Sequence, residues 1–286
     1  MRMKRIGILL VAAAALLGGR TAFAAFADYI AASSPVGWWG LNETGAPAST
    51  ADLSGVYGAA NNGLGVAIPA TYQGVGTNTL PDQAGFGGGA NRAAYFDGTT
   101  NAGAYGNGVV PYDSSTIGPI YAYNGGFSVE VWVKTDGVVP VDSNRFIATR
   151  EWGLGFEVGG RLHFTTFAKQ DYFGNAMPMD GLWHQIGVSW DGSTASFFID
   201  GVAAGSQAGA VGLRAPLSPG YNTLNLSHRN TDVQHFKGWM DEAVIWNHTR
   251  SEADFALSYF FMTPEPATMA LLGLGGLGLL LSRKRR

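Results

Sequence analysis

The 286-residue chain contains no cysteine. Stability outside the cell therefore cannot come from disulfides, thiol catalysis is excluded, and so is structural zinc held by cysteine. Charge is scarce as well, at 14% of residues, so burial of apolar surface must do most of the stabilising. Helical periodicity is almost absent, and no repeat at solenoid or propeller spacing occurs. Chemistry-bearing motifs are missing too. There is no Gly-x-Ser-x-Gly nucleophile elbow, and the five histidines (His163, His184, His228, His235, His248) form no H-E-x-x-H zinc motif. His184 reads as a structural histidine, and His228 with His235 as an alternative metal pair.

What is present sits first at the two ends. Arg2, Lys4 and Arg5 precede an apolar run from Ile6 to Leu17 and then Ala22-Phe23-Ala24. A basic start, a short apolar core and a small-x-small end describe a signal peptide, residues 1–24, cut after Ala24 or alternatively after Ala25. At the other end, Pro264-Glu265-Pro266 is followed by an uncharged run, Ala267 to Leu281, and by Arg283, Lys284, Arg285 and Arg286. As a helix the run spans roughly 22 Å, short of a bilayer core of about 30 Å. The basic cluster would remain cytoplasmic. A plain C-terminal anchor helix is one reading.

The three-part order of the tail, residues 263–286, resembles the PEP-CTERM sorting signal of Gram-negative bacteria. That resemblance implies processing near Pro264–Pro266 by a membrane-embedded exosortase, after signal peptidase has acted at the front. The protein would pass through an inner-membrane intermediate to the cell surface or the extracellular matrix. The C-terminal hydrophobic sorting helix would then be an address label outside the fold.

About 240 residues lie between the two signals, enough for one large core. Eight of the 18 cations lie in the two ends, leaving ten against 20 of the 21 acids, a balance near −10 for residues 25–262. That excludes nucleic acid as a partner, because phosphates demand a basic face.

Within this body the pattern is one of strands. In Phe127-Ser-Val-Glu-Val-Trp-Val-Lys134, the residues Phe127, Val129, Val131 and Val133 share one face, and Ser128, Glu130, Trp132 and Lys134 the other. Gly159-Gly160, Asp191-Gly192 and Asp200-Gly201 separate alternating runs as hairpin turns. The spacing predicts a strand over 239–246 and one or two helical turns from Ser251, with Ser251 as N-cap and Asp254 at N3. Gly55 to Asn107 reads as loops between short strands. The fold class is all-β, an antiparallel sandwich.

Four stretches, PVGWWGLNETGAPASTADLSG from Pro35, AYFDGT from Ala94, FSVEVWVKT with LWHQIGVSWDGSTASFFIDGVAAG, and FKGWMDEAVIWNHTRSEADF, resemble the laminin-G-like branch of the concanavalin-A-like lectin/glucanase superfamily. The resemblance implies a jelly-roll β-sandwich over residues 25–262. It also implies a structural calcium at Asp52 and Asp241, with Glu43 as a third ligand. Otherwise Asp52 caps a turn and Asp241 pairs with an arginine.

Glycoside hydrolases on this fold carry Glu-x-Asp-x-Glu or Glu-x-Asp-x-x-Glu on one strand, which aims the carboxylates into one groove. No such run occurs here. The expectation is a non-catalytic protein that binds glycan or exopolysaccharide. The alternatives are a structural biofilm component without a ligand, and a divergent glycoside hydrolase. Trp38, Trp39, Trp132, Trp190 and Trp246 read as core, with one of the adjacent Trp38 and Trp39 free to face solvent. Tyr105, Tyr112, Tyr121, Tyr123, Tyr172 and Tyr221 are candidates for a binding rim.

Overall fold

The computed structural model describes residues 22–41, 49–50, 53, 63–64, 93–98, 109–111, 126–140, 142–149, 151–213, 223–227 and 234–262. Two helices, α1 (Ala22–Ala32) and α2 (Glu252–Met262), flank a set of strands. The early strands are short: β1 (Gly37–Trp39), β2 (Ser49–Thr50), β3 (Gly63–Leu64), β4 (Ala94–Asp97) and β5 (Val109–Pro111). The later ones are β6 (Phe127–Thr135), β7 (Asn144–Ala148), β8 (Gly153–Phe156), β9 (Arg161–Thr166), β10 (Gln170–Ala176), β11 (Trp183–Trp190), β12 (Thr194–Ile199), β13 (Val202–Ala208), β14 (Thr223–Leu226) and β15 (Lys237–Trp246).

They form two antiparallel sheets. The first runs β1-β15-β6-β11-β12-β13, with β4 also on β15. The second runs β10-β9-β8-β7-β14-β5-β3-β2. This is the antiparallel sandwich that the alternation predicts and the jelly roll that the resemblance implies. The glycine turns fall where expected: Gly192 and Gly201 take φ of 101° and 76° in the tight links either side of β12, and Gly159 takes 82° before β9.

Strand β6 keeps the predicted alternation. Phe127, Val129, Val131 and Val133 point into the core between the sheets, with Trp39, Phe146, Phe164, Trp190 and Phe197. The opposite face is buried too. Trp38, Trp132, Trp183, Val244 and Trp246 form a second cluster with Phe26 and Ile30 of α1 and Phe261 and Met262 of α2. The expectation that Trp38 or Trp39 faces solvent is therefore corrected. The two rings do point oppositely, but Trp39 enters the core and Trp38 is covered by the helices. Tyr172 is likewise no rim residue. It is fully buried, and its hydroxyl donates to the carbonyl of Ala210 at 3.0 Å.

Helix α2 starts as predicted but runs longer. Ser251 and Asp254 exchange bonds: the Ser251 N–H donates to Asp254 Oδ2 at 2.8 Å, and the Asp254 N–H to Ser251 Oγ at 3.4 Å. Glu252 and Asp254 place negative charge in the first turn, where the helix dipole favours it. A side chain at Gly187 would hold the helix off the sheet, since a Cβ there would fall 2.4 Å from Phe255 Cε1.

Helix α1 is antiparallel to α2. Its far end meets the start of α2, where Trp246 Nε1 donates to Ser33 Oγ at 2.7 Å and Tyr29 Oη to the Asp254 carbonyl at 2.8 Å. Its first turns therefore lie beside the end of α2, with Phe26 in the same cluster as Phe261 and Met262.

Candidate functional site

A cleft of about 660 Å³ opens at one end of the sandwich, between the ends of β6 and β8 and the starts of β7 and β15. Asp136, Asp142, Asn144, Gln234 and Lys237 supply its polar lining, and Val139 its apolar rim. The volume lies in the range typical of small-ligand sites, about 300–1,000 Å³.

Its floor is set by local backbone chemistry. After β6, Gly137 turns the chain with φ of 78°, and Asp136 Oδ1 accepts the Val138 N–H at 3.1 Å. Asp136 Oδ2 meets Lys237 Nζ at 2.9 Å. Slight burial pushes the Asp136 carboxyl up, but Lys237 and the Val138 N–H outweigh it and hold the group below its ordinary value. On the opposite wall Gln234 has φ of 61° and its carbonyl accepts the Arg145 N–H at 2.9 Å. Val138 and Val139 stand at the mouth, 65% and 54% exposed, which makes that edge unusually apolar.

Behind the cleft, a buried polar row crosses the outer face of the second sheet. Arg145 on β7 stands opposite Gly155 on β8, Gly155 opposite His163 on β9, and His163 opposite Phe173 on β10. His163 Nδ1 lies 2.5 Å from Glu157 Oε1, and Nε2 lies 3.2 Å from Asp171 Oδ1. Arg145 approaches the same Glu157 oxygen at 3.8 Å, and Ser143 Oγ donates to the other. Phe173 stacks on the imidazole at 4.9 Å, and the Arg161 guanidinium sits 4.5 Å from the Phe173 ring. Burial, with Arg145 nearby, pushes the imidazole below its ordinary value, and the two carboxylates pull the other way. The row joins its charges to one another, and the imidazole separates Glu157 from Asp171. A glycosidase needs two carboxyls facing each other across a scissile bond.

Sequence reasoning missed this row. The signal was the alternation of Arg161, His163 and Thr165 with core Leu162 and Phe164 along β9. The other acids are placed differently. Glu130 is buried beneath α2, and His184 is fixed between Asp200 at 2.7 Å and Asp180 at 3.1 Å.

Of the residues predicted to hold calcium, Asp241 is buried on β15. It precedes a bulge: β6 pairs Asp241 with Trp132 but Val244 with Glu130, and Glu242 takes φ of 48°. Asp241 Oδ1 accepts the Glu242 N–H at 2.9 Å, and Glu242 Oε2 accepts Trp38 Nε1 at 2.5 Å. Asp52 and Glu43 lie outside the described residues. The neighbouring Leu53 N–H donates to the Trp38 carbonyl at 2.7 Å, so the chain at residue 53 and the bulge both fasten to β1. Buried carboxylates are the hard oxygen donors calcium takes, so Asp241, the one described member of this set, fits the ion. Among the described residues alone, no three His, Asp or Glu converge on a metal position.

Ala24 and Ala25 lie in the first turn of α1. Pro264, Glu265, Pro266 and the basic residues 283–286 lie outside the described residues, as do Tyr105, Tyr112, Tyr121, Tyr123, Tyr221 and His228. Among the described residues, no helix is long and apolar enough to cross a membrane.

Comparison with known proteins follows the same lines. A family described as the Concanavalin A-like lectin/glucanases superfamily matches residues 106–256, and the PEP-CTERM protein-sorting motif matches residues 263–286. No curated protein matches. Among solved structures, Trypanosoma rangeli sialidase in complex with the inhibitor DANA is similar at 12% identity and a TM-score of 0.52, over 80% of this chain and 33% of that one. The binding domain of Botulinum neurotoxin DC, in complex with rat synaptotagmin II, is similar at 13% identity and a TM-score of 0.54, over 82% of this chain and 53% of that one. At such identities the likeness is one of fold, and the chain spans about a third and about half of these two proteins. The chain belongs to the concanavalin A-like lectin/glucanase superfamily and carries a C-terminal PEP-CTERM sorting motif, the mark of an exported protein of Gram-negative bacteria processed at the membrane.

Proposed function

We propose that the protein is a non-catalytic component of the cell surface or extracellular matrix that binds a glycan or exopolysaccharide in the cleft between β6, β7 and β15. The observation that carries this reading is the lining itself. Asn144, Gln234 and Ser143 offer amide and hydroxyl groups, and Asp136 is already neutralised by Lys237. Such a surface suits a neutral, hydroxyl-rich ligand better than an ionic one. The Oε1 of Gln234 has no hydrogen-bond partner among the described residues and is ready to accept from one. Signal peptidase cuts after Ala24 or Ala25, exosortase acts at Pro264–Pro266, and a calcium ion held by Asp241 and Asp52, with Glu43, ties the early chain to β15.

The test is retention on a panel of immobilised polysaccharides, with release of reducing ends measured in parallel. Retention without release, weakened several-fold by Asn144→Ala or Gln234→Ala at unchanged melting temperature, is the expected outcome. Release of reducing ends would make the protein a hydrolase. Retention of nothing would leave it a structural component.

A further inference from the structure

The two junctions implied by the terminal signals border the two helices: Ala24–Ala25 falls in the first turn of α1, and Pro264 follows Met262, the last residue of α2, by two positions. Ser33 meets Trp246 just before α2, the Tyr29 hydroxyl reaches Asp254, and the Tyr29 ring lies 5.3 Å from Phe261, so α1 runs back along α2 and its start, which holds Ala24–Ala25, is directed toward the pole at Met262. The fold reaches almost to both junctions. Phe26 is fully buried one residue after Ala25, and Met262 is fully buried two residues before Pro264. Two extended residues span at most roughly 7 Å. An enzyme embedded in the bilayer can reach Pro264 across so short a tether only where this pole meets the lipid.

The pole has the composition such contact requires. Phe255 to Met262 carries no charge, and α1, AFAAFADYIAA, carries only Asp28. Ala27, Tyr259 and Phe260 are only partly covered there, and Asp28 is exposed. The acidic residues of α2, Glu252 and Asp254, lie at its opposite end. Apolar helix faces of this kind bury a few ångströms into the headgroup boundary, at about 5–10 Å depth. The uncharged runs 6–17 and 267–281 continue from this same pole in the sequence.

We propose that the face formed by the start of α1 and the end of α2 is a membrane-docking surface whose partner is the lipid bilayer, and that it seats the domain on the membrane while both junctions are processed. This rests on the export reading above. The end of α2 also runs alongside the end of β6, since Tyr259 stacks on Trp132 at 5.7 Å. The cleft beyond Thr135 and Asp136 therefore opens at this same end of the sandwich, turned toward the lipid until the tail is removed.

The absence of cysteine makes the test clean. The full chain is reconstituted into vesicles of phosphatidylethanolamine and phosphatidylglycerol, with one fluorescent label per chain on Ala27→Cys, Phe260→Cys or Val211→Cys. Val211 is 76% exposed and lies beside the Asp191–Gly192 turn, at the far end of the sandwich. A nitroxide quencher carried on the lipid headgroups should quench the labels at 27 and 260 several-fold more than the label at 211. Labels on two helices guard against one variant misfolding. Equal quenching at all three positions, with the chain still pelleting with the vesicles, overturns the docking surface alone. A chain that stays in the supernatant overturns it together with the export reading.

Discussion

Ser258 Oγ donates to Oε1 of Glu130 at 2.5 Å, across the seam between α2 and the first sheet. Both side chains are fully buried. Burial pushes the Glu130 carboxyl up from its ordinary value, against the attraction of Arg250 and the bond from Ser258. An acid whose value is higher in the fold than in the unfolded chain binds its proton more tightly when folded. Stability is then greatest below the unfolded value and falls as pH rises through the interval up to the folded one. Glu130→Gln keeps the accepting oxygen and removes the charge. It should raise stability at neutral pH by about 1–2 kcal/mol and leave it unchanged at acid pH. Thermal melts across that range decide the matter, and a parent more stable than the variant at neutral pH would mean that Arg250 holds an ionised carboxylate there.

Gly187 tests how closely α2 is seated. A methyl group there would meet the buried ring of Phe255, which is itself stacked on Phe198 at 4.4 Å and has nowhere to move. Gly187→Ala should destabilise the domain by about 1–3 kcal/mol, the usual cost of overpacking. Denaturant unfolding measures this, and a neutral result would show that α2 floats on the sheet.

The way Glu130 and Gly187 are covered marks the limit of what the sequence discloses. The strand over 127–134, the Asp-Gly turns and the Ser251 cap were legible, because each depends on neighbours a few residues apart. The burial of the outer face was not. It depends on α1, whose residues are apolar but for Asp28 and follow closely on the apolar run 6–17, and on α2, whose helical pattern was visible only for its first turns. That is why Trp38 looked free to face solvent. The cleft was illegible for a similar reason. Asp136, Asn144, Gln234 and Lys237 come from the ends of three strands, and nothing local marks any of them as lining a site. The His163 row could have been read from β9 alone, had the polar face of that hairpin been weighed like its apolar one.

His184 gives the opposite pH dependence. Burial pushes the imidazole down, but the bonds and charges of Asp200 and Asp180 outweigh it and hold the group above its ordinary value. A base raised in this way contributes its stability in full below the unfolded value, about 6.5, and loses it as pH rises through the folded value. His184→Gln should therefore cost on the order of 1 kcal/mol at mildly acid pH and much less in alkali. Equal losses at both ends of the range would mean that the ring acts by packing alone.

Phe26 decides whether α1 belongs to the mature domain. It is fully buried in the outer cluster with Trp38, Trp132 and Met262, and deleting such a ring typically costs about 3–5 kcal/mol. Phe26→Ala should lower the melting temperature of the exported protein accordingly. Mass spectrometry of that form should find a first residue at Ala25 or Phe26 and no Arg286. A start beyond Ile30 would remove the helix from the fold, and a retained Arg286 would make the tail a lasting anchor.

Calcium, if it ties the early chain to β15, acts through Asp241. The carboxylate is buried at the bulge, and Leu53 and Glu242 both bond to Trp38 on the neighbouring strand. An ion bound only by the folded state stabilises it by mass action, by about 2.7 kcal/mol at a hundredfold excess over Kd. Chelation with EDTA should therefore lower the parent's melting temperature, and added calcium should restore it. Asp241→Ala should melt low in both conditions, having lost the ligand that makes the difference. Magnesium should restore little, because it demands tighter octahedral geometry and sheds water reluctantly. A parent indifferent to EDTA leaves Asp241 with a purely local role, accepting the Glu242 N–H and shaping the bulge that carries β15 from one partner strand to the next.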